Sequence, residues 1–267
     1  SGNCEHYWVI DPPVGRYSQG RCRKCGEQKA FGNYLEAPDF FRRPTMDRSG
    51  IPDSMLRSVP LVPRDRRVSL LVRHSHRPDL ELGTYGNEIG LSREGVLAAE
   101  QLGVALSGFS AGRLQSSSMP RAAGTATAIA EGAGWNVLMK EDWRLGMHGP
   151  FVIEPSITGP QFLEVGAAEM VRRQLHDPDP LPGMRPTGEG VALMVQCLAE
   201  HPDGAPALDV SVSHDAIMAT TIGALLGIDI DNDSWPVFLE GLFIWREDNS
   251  LVGVWHAETV GLLWPCP

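Results

Sequence analysis

The chain has 267 residues, a formal net charge of −10, 42% hydrophobic residues and 21% charged residues. This composition excludes a disordered or collagen-like protein, and the length predicts one large domain or two small ones. The acidic balance argues against general binding to nucleic acid or to anionic membranes, because a broad positive field holds both partners. No apolar run approaches the ~18 residues of a membrane span, and there is no secretory signal at the start. We therefore expect a cytoplasmic protein.

The first 35 residues predict a small zinc-binding module. Cys4 and His6 form one pair of ligands, and Cys22 and Cys25 form a second pair that is followed by Gly26. Four such ligands match a closed tetrahedral zinc site, and a site without an open position is structural. A reduced cysteine cluster with an exposed His6 is the alternative. The five cysteines of the chain gather mostly near its start, which favours a metal site over a disulfide framework.

Residues 36–67 are rich in proline and arginine and show no sustained hydrophobic period. This pattern predicts a connecting segment between the module at 1–35 and a main domain at 68–267. The segment carries too many apolar side chains for a free tether, among them Phe40, Phe41, Met55 and Leu56. We therefore expect it to wrap over the main domain.

A buried strand is predicted at 68–72, where the sequence is apolar and partly β-branched. The strand is followed at once by four cationic or titratable side chains, Arg73, His74, His76 and Arg77. Charge at the carboxyl end of a strand marks the ligand-binding edge of an open α/β sheet. Guanidinium groups beside an imidazole suit a phosphate, because they pair with its oxygens while the imidazole can attack phosphorus. A basic strand end that only meets solvent is the alternative.

Two further junctions between a strand and a helix carry polar side chains. Ser118 is predicted to cap a helix that runs through 122–131 and stops at Gly132, with Arg121 in its first turn. A basic residue at the positive end of a helix makes an anion site. A strand at 208–213 ends at His214 and Asp215, and a helix at 216–226 follows.

The remaining segments complete an α/β pattern. After an irregular loop at 76–90, a helix begins at its cap Ser92 and is predicted to turn five apolar residues toward the sheet: Val96, Ala99, Leu102, Val104 and Leu106. A short strand at 137–140 precedes an insertion at 141–186 that contains a helix at 162–175. A helix at 187–200 and a hairpin of strands at 242–245 and 251–255 follow.

Residues 68–256 resemble the histidine phosphatase superfamily, which includes phosphoglycerate mutases and histidine acid phosphatases. The segment VRHSHRP at 72–78 is similar to its Arg-His-Gly opening in the longer acid-phosphatase form. The segment GLSREG at 90–95 is similar to its Gly-Leu-Thr-x-x-Gly helix start, and SSSMPRAAGTA at 116–126 to its Ser-Ser-x-x-x-Arg-Ala-x-x-Thr-Ala segment. The resemblance implies a three-layer α/β/α fold with a central, mostly parallel sheet, here joined to a small N-terminal zinc-knuckle module.

The resemblance also implies roles for individual residues. His74 would be the nucleophile that accepts the phosphoryl group, and the phosphoryl oxygens would be held by Arg73, Arg77, Arg121 and His214. His74 must then be neutral, with its second nitrogen donating to a backbone carbonyl. Ser75 replaces the superfamily's glycine and is expected to crowd the phosphate or bond to it, and His76 is expected to form part of the pocket wall.

The choice of general acid follows from a difference between this chain and the mutase-like branch of the superfamily. The mutase-like branch has a glutamate in the loop that corresponds to 143–149, and this chain has none there. The acid-phosphatase branch instead uses an aspartate directly after the second histidine, which is the place of Asp215. We therefore predict Asp215 as the general acid, with Glu141 or Asp142 as reserves.

Together these expectations describe a phosphatase that hydrolyses a phosphomonoester through a phosphohistidine, without a catalytic cofactor. Its substrate would be a phosphorylated small molecule or a phosphoprotein, and zinc would only stabilise the N-terminal module. Other interpretations stay open: a protein that binds a phosphorylated partner without turnover, a phosphomutase, or an enzyme of another anionic substrate. A protein partner that binds through the zinc module is a further prediction.

Overall fold

The computed structural model describes residues 4–11, 17–32, 50–80, 86–177, 179–199, 205–231 and 233–264. Within these ranges the chain forms a three-stranded sheet near its start and a seven-stranded sheet with helices on both faces. The predicted connecting segment is described only from residue 50 onward, so Phe40 and Phe41 lie outside the described residues.

The small sheet is antiparallel and consists of β1 (Trp8–Ile10), β2 (Tyr17–Cys22) and β3 (Gln28–Gly32), in that order. A tight turn joins β2 to β3, and in it the amide of Gly26 donates to the carbonyl of Cys22 at 2.9 Å. Gly26 has a φ of 78°, a conformation that glycine adopts without strain. The turn therefore brings Cys22 and Cys25 close together.

The large sheet is parallel in its core. The parallel strands are β4 (Val68–Arg73), β5 (Ala111–Ser116), β6 (Met139–Glu141) and β7 (Leu208–Ser213), in the order β4-β7-β5-β6. On the other side of β4, three antiparallel strands follow: β8 (Gly241–Glu247), β9 (Ser250–Trp255) and β10 (Glu258–Gly261). The predicted strand at 208–213 and the predicted hairpin are confirmed.

Helices cover the two faces of this sheet. The helices before the insertion at 141–186 are α1 (Asp53–Ser58), α2 (Arg93–Leu106) and α3 (Pro120–Ala133). The helices within it are α4 (Pro155–Val165) and α5 (Ala167–His176), and those after it are α6 (Thr187–Ala199) and α7 (Asp215–Leu226). Leu70 and Val72 of β4 are buried in the core with Met55 of α1 and residues of α2 and α3. Leu71 between them is buried in a second core with residues of α5, α6 and α7. Alternate residues of one strand thus face two helical layers, which confirms the three-layer fold.

Close contact between α2 and α3 explains two errors of prediction. Ser92 caps α2 as expected and accepts from the amide of Gly95 at 3.0 Å. Val96 and Val104, however, are exposed, because the buried face of the helix is rich in small residues that let α3 approach. A side chain at Gly132 of α3 would collide with the carbonyl oxygen of Glu100, so Gly132 serves packing and does not end the helix.

Three other boundaries differ from the prediction. The residue before α3 is Met119, without a capping side chain, so Ser118 is not the cap; Pro120 begins the helix with a φ suited to that position. The helix ends at Gly134, in the left-handed conformation with a φ of 69°. The helix predicted at 162–175 is two helices, α4 and α5, because Gly166 between them has a positive φ of 82°, which interrupts the helix and which glycine adopts without strain.

Candidate active site

Three junctions between a strand and a helix or loop meet at the carboxyl edge of the parallel strands. Arg73 ends β4 and His74 follows it. Arg121 lies in the first turn of α3 after β5, and His214 stands between β7 and Asp215, the first residue of α7. The rings of His74 and His214 have their centres 5.3 Å apart. Carboxyl ends of parallel strands lie at one edge of a sheet, so segments distant in sequence supply one cluster.

His74 is buried and held by two hydrogen bonds. Its Nδ1 atom lies 2.8 Å from the carbonyl oxygen of Ser75, which can only accept, so Nδ1 carries the proton. Its Nε2 atom accepts from Nε of Arg121 at 3.2 Å. Burial, together with the charges of the site that include Arg73 and Arg121, holds the pKa of His74 well below its usual value. His74 is therefore neutral, with an unshared electron pair on Nε2.

His214 is bonded to a serine that the sequence did not single out. The Nε2 atom of His214 lies 2.8 Å from Oγ of Ser117, in the loop between β5 and α3. Burial lowers the pKa of His214 to about 3, and the charge of Arg121 adds to this effect. Ser117 belongs to the three-serine segment before Arg121, which is the signal that could have identified it.

Asp215 is paired with the guanidinium of Arg73. The Nη2 atom of Arg73 lies 2.9 Å from Oδ2 of Asp215, and Oδ1 accepts from the amide of Ala216 at 2.8 Å. Burial alone would raise the pKa of Asp215, but the charge of Arg73 outweighs it and leaves the pKa below its usual value. Arg73 also donates to the carbonyl of Pro236 and stacks over the ring of Phe238 at 4.3 Å. Arg73 thus holds Asp215 in place.

Phe238 is a second residue of this site that the sequence did not single out. Its ring centre lies 5.4 Å from that of His74 and 5.0 Å from that of His76. The guanidinium carbon of Arg77 is 6.0 Å from the same ring centre. The ring of Phe238 thus lies beside both histidines and both arginines of residues 73–77. No short motif announces this contact, because Phe238 lies more than 150 residues later in the chain.

Several predicted site residues lie away from the cavity wall. The hydroxyl of Ser75 donates to the carbonyl of Gly95 at 2.7 Å, and Nε2 of His76 lies 2.9 Å from the carbonyl of Gly50. Both side chains are thus turned toward neighbouring backbone. Of the two reserve acids, Glu141 is exposed, and Asp142 binds the guanidinium of Arg144 at 2.7 Å. Among the residues described, Asp215 is the carboxylate that lines the cavity.

The cavity at this edge has a volume of about 340 Å³. One end is formed by the charged and titratable cluster of His74, Arg121, His214 and Asp215. The remaining wall comes from single residues at 80, 87 and 119, from the insertion and from the start of α7: Leu80, Asn87, Met119, Met147, His148, Val152, Pro155, Thr158, Gly159, Phe162, Ala167 and Ala216. A cavity of this size is at the lower end of the range for small-molecule sites.

The N-terminal sheet brings together the four predicted metal ligands. The ligand atoms of Cys4, His6, Cys22 and Cys25 all lie within 4.8 Å of one another. The two sulfur atoms of Cys4 and Cys22 are 4.0 Å apart, close to the roughly 3.8 Å expected for two thiolates on one tetrahedral zinc ion. The Nδ1 atom of His6 lies 3.3 Å from the sulfur of Cys25, and its Nε2 atom lies 3.5 Å from Glu27. These donors fit a metal ion, with a carboxylate orienting the histidine.

A family model described as the histidine phosphatase superfamily (branch 1) matches residues 69–239. Among solved structures, Bacillus stearothermophilus YhfR is similar with a TM-score of 0.51 and 17% identity, over 72% of this chain and 100% of that protein. Mycobacterial glucosyl-3-phosphoglycerate phosphatase has a TM-score of 0.46 and 20% identity, over 73% and 100%. Phosphoglycerate mutase from Bacillus anthracis has a TM-score of 0.46 and 14% identity, over 74% and 93%. No curated protein matches the chain.

Proposed function

The chain belongs to the histidine phosphatase superfamily, and from this premise we propose that it hydrolyses a phosphomonoester through a phosphohistidine formed on His74. The observation that carries the proposal is the state of His74. Its Nδ1 proton is donated to Ser75, and its Nε2 electron pair lies beside Arg121 at the cavity. A neutral imidazole with one unprotonated nitrogen is the form that attacks phosphorus.

In the first step, Nε2 of His74 forms a bond to phosphorus while the bond to the ester oxygen breaks. The leaving alkoxide takes a proton from Asp215, which lines the same cavity and has received that proton from the bound substrate monoanion. Arg121 and His214, which line the cavity, would face the phosphoryl oxygens, and Arg77 adds positive charge near His214. Phosphoryl transfer depends mainly on such positioning and neutralisation of charge.

In the second step, a water molecule attacks phosphorus and the bond to Nε2 breaks, which returns the electron pair to His74. The carboxylate of Asp215 takes a proton from this water and passes it to the departing phosphate, so the enzyme ends in its starting state with Asp215 ionised. We assign Arg73 a positioning role in both steps, because its guanidinium is bonded to Asp215 and Pro236. Ser75 and His76 would act through the backbone they hold rather than by touching the substrate.

The test is phosphate release from p-nitrophenyl phosphate, combined with trapping of the phosphorylated protein. We expect the intact protein to release phosphate and to carry an acid-labile, base-stable phosphoryl group. His74→Ala should lose both signals, with release reduced at least about 10³-fold. His176→Ala is the matched control, because His176 is exposed and paired with Asp229.

Three other outcomes would contradict the proposal. No turnover with retained phosphate affinity would make the protein a binder of phosphorylated ligands. Conversion of a substrate to its positional isomer without net release of phosphate would make it a mutase. Full activity of His74→Ala would place the chemistry elsewhere.

We further propose that Cys4, His6, Cys22 and Cys25 hold a structural zinc ion. Burial raises the pKa of Cys4 to about 11. Burial also opposes ionisation of Cys22, but hydrogen bonds, chiefly from the amide of Cys25, outweigh it and lower the pKa of Cys22 to about 6, so Cys22 ionises before Cys4. When bound, zinc would supply folding energy to a sheet of three short strands. None of the four ligands is among the described residues that line the cavity.

The setting proposed for this enzyme is the cytoplasm, and its substrate is a phosphorylated small molecule or a phosphoprotein. The four cysteines that the structure describes are free, which suits a reducing compartment. Among the described helices, none is long and apolar enough to cross a membrane. A protein partner of the zinc module stays a prediction.

A further inference from the structure

The cavity has two chemically different parts. At the carboxyl edge of the sheet it is bounded by His74, Arg121, His214 and Asp215, which suit a phosphoryl group. Of the other twelve described lining residues, nine are apolar side chains or glycine. The part of a substrate beyond its phosphate therefore meets hydrocarbon and sulfur atoms.

Helix α4 supplies the largest share of this apolar wall. Pro155, Thr158, Gly159 and Phe162 line the cavity at spacings of three and four residues, so one face of the helix is turned toward it. Leu163, the next residue, is exposed and is not among the residues that line the cavity. Thr158 adds no free donor, because its hydroxyl donates to the carbonyl of Glu154 at 2.8 Å. The helix thus presents a methyl group, a ring and backbone.

The rest of the lining outside the charged cluster is also largely apolar. Leu80, Met119, Met147 and Val152 line the cavity with apolar side chains. The polar residues of this part are Asn87 and His148, and His148 is exposed. Among the described lining residues, Arg121 is the one arginine, and there is no lysine. A second anionic group on a substrate would therefore be desolvated without a cation to pair with it.

We infer that the substrate is a small phosphomonoester of an apolar alcohol, an alkyl or aryl phosphate that carries no second anionic group. This inference rests on the proposed function, because it takes the phosphoryl end of the cavity as given. The apolar end of the cavity would select the alcohol part of the substrate. Each methylene that enters the apolar part should raise kcat/KM about three- to fourfold, from the transfer free energy of a buried methylene.

The first experiment compares kcat/KM along a series of ethyl, butyl and hexyl phosphate with that for 3-phosphoglycerate and glucose 6-phosphate. We expect kcat/KM to rise with the length of the alkyl chain. The value for hexyl phosphate should exceed that for 3-phosphoglycerate at least about tenfold, because its alkyl chain contacts the apolar wall. An alkyl series that stays flat, or a preference for 3-phosphoglycerate, overturns the inference and leaves the proposed function intact. No turnover of any phosphomonoester overturns both.

The second experiment changes the wall. Phe162→Arg places a cation in the apolar part, and we expect it to shift the ratio of kcat/KM between hexyl phosphate and 3-phosphoglycerate at least about tenfold toward 3-phosphoglycerate. Leu163→Arg is the matched control on the same helix and should leave the ratio within about twofold, because its side chain is exposed.

A variant at a second position guards against a folding defect at Phe162, which also packs against buried residues of α5 and α7. Met147→Arg introduces the same charge from the loop after β6, and it should shift the ratio in the same direction. Thermal unfolding of all three variants identifies any that has lost its fold. Folded Phe162→Arg and Met147→Arg proteins that keep the original ratio contradict the inference.

Discussion

The Nε2 atom of His74 lies 3.2 Å from the Nε atom of Arg121, and the same guanidinium donates through Nη1 to the carbonyl of Gly86 at 2.7 Å. The proposed nucleophile and its cation are thus paired before any substrate is present. A phosphoryl group that enters the cavity would meet both at once, and Arg121 would turn its donors from His74 toward the phosphoryl oxygens. The pairing keeps the nucleophilic nitrogen unprotonated until then.

Arg121→Met should therefore affect both catalysis and the titration of His74. Loss of a preorganised donor to the developing charge should lower kcat/KM about 10²- to 10³-fold. Because Arg121 lowers the pKa of His74, its removal should raise that pKa and move the acid limb of the pH profile toward neutral pH. The measurement is kcat/KM for p-nitrophenyl phosphate between pH 4 and pH 8.

Two further variants separate charge from geometry at this position. Arg121→Lys keeps the positive charge but loses the planar, two-pronged guanidinium. The acid limb of its pH profile should therefore return to the wild-type position, while kcat/KM should recover only in part. Arg172→Met removes an exposed arginine that pairs with Glu169, and it should change neither. An Arg121→Met protein with wild-type kcat/KM would remove Arg121 from the phosphate pocket.

The pH dependence of the intact protein follows from the pKa of Asp215. Arg73 holds that pKa below its usual value, so Asp215 is ionised at neutral pH in the free enzyme. The proton for the leaving group must then arrive with the substrate monoanion. Because the second pKa of a phosphomonoester is about 6, kcat/KM for an alkyl phosphate should fall about tenfold for each pH unit above that value. Steady-state kinetics between pH 5 and pH 9 measure this slope.

Asp215→Asn tests the same role through the leaving group. Loss of the general acid should lower kcat/KM for butyl phosphate about 10²- to 10³-fold, because an alkoxide leaves poorly without a proton. For p-nitrophenyl phosphate, whose leaving group is stable as an anion, the loss should stay within about tenfold. Asp142→Asn is the control, because Asp142 is bound to Arg144 away from the cavity wall. Equal losses for both substrates would contradict the assignment.

Much of this site could be predicted from the sequence because its residues follow recognisable strands. The apolar run of β4 and the segment before α7 place His74 and His214 at strand ends, and parallel strands bring such ends together. The directions of side chains could not be predicted. Arg73 turns to Asp215 and Ser75 to Gly95 through contacts that only the folded chain creates.

The errors in the fold have a common physical origin. The exposure of Val96 and Val104 and the role of Gly132 all follow from the close packing of α2 on α3. A hydrophobic period locates the apolar face of one helix, but small residues that admit a neighbouring helix do not stand out in that period. Likewise, Phe238 reaches the site from a loop after α7, at a distance in sequence that no local pattern bridges.

The N-terminal module should contain one equivalent of zinc that Cys25→Ser removes. The substitution replaces a thiolate by a weaker ligand and opens the site. Phosphatase activity should persist, because Cys25 is not among the described residues of the cavity wall. Metal analysis of the purified variant and of the intact protein measures the difference, and p-nitrophenyl phosphate turnover measures the activity.

Cys197→Ser is the matched control for the zinc prediction. Cys197 is buried, its thiol donates to Asp142, and a serine hydroxyl can do the same. This variant should keep its zinc. An intact protein with less than about half an equivalent of zinc, or a Cys25→Ser variant with a full equivalent, would show that the four donors do not form the site.

The burial of Glu240 predicts that the protein loses stability as the pH rises. The side chain of Glu240 is buried, both of its carboxyl oxygens accept from Ser54, and the Nε2 atom of His256 lies 3.7 Å from Oε2. Burial raises the pKa of Glu240 to about 7, and burial also lowers the pKa of His256, so His256 is neutral when Glu240 ionises. Between the ordinary glutamate value of 4.5 and about 7, the folded state holds a proton that the unfolded state has released. The free energy of unfolding should therefore fall by up to about 3 kcal/mol as the pH rises through this window.

Glu240→Gln isolates this effect from the other groups that titrate. Glutamine keeps an acceptor for Ser54 and carries no charge, so the variant should match the intact protein at pH 4.5 and exceed its stability at pH 8 by up to about 3 kcal/mol. Chemical denaturation at the two pH values measures both differences. Glu247→Gln is the control, because Glu247 is exposed and its substitution should leave the pH dependence unchanged. If Glu240→Gln is less stable than the intact protein at pH 8, the ionised carboxylate is stabilised by its surroundings and Glu240 does not oppose folding at that pH.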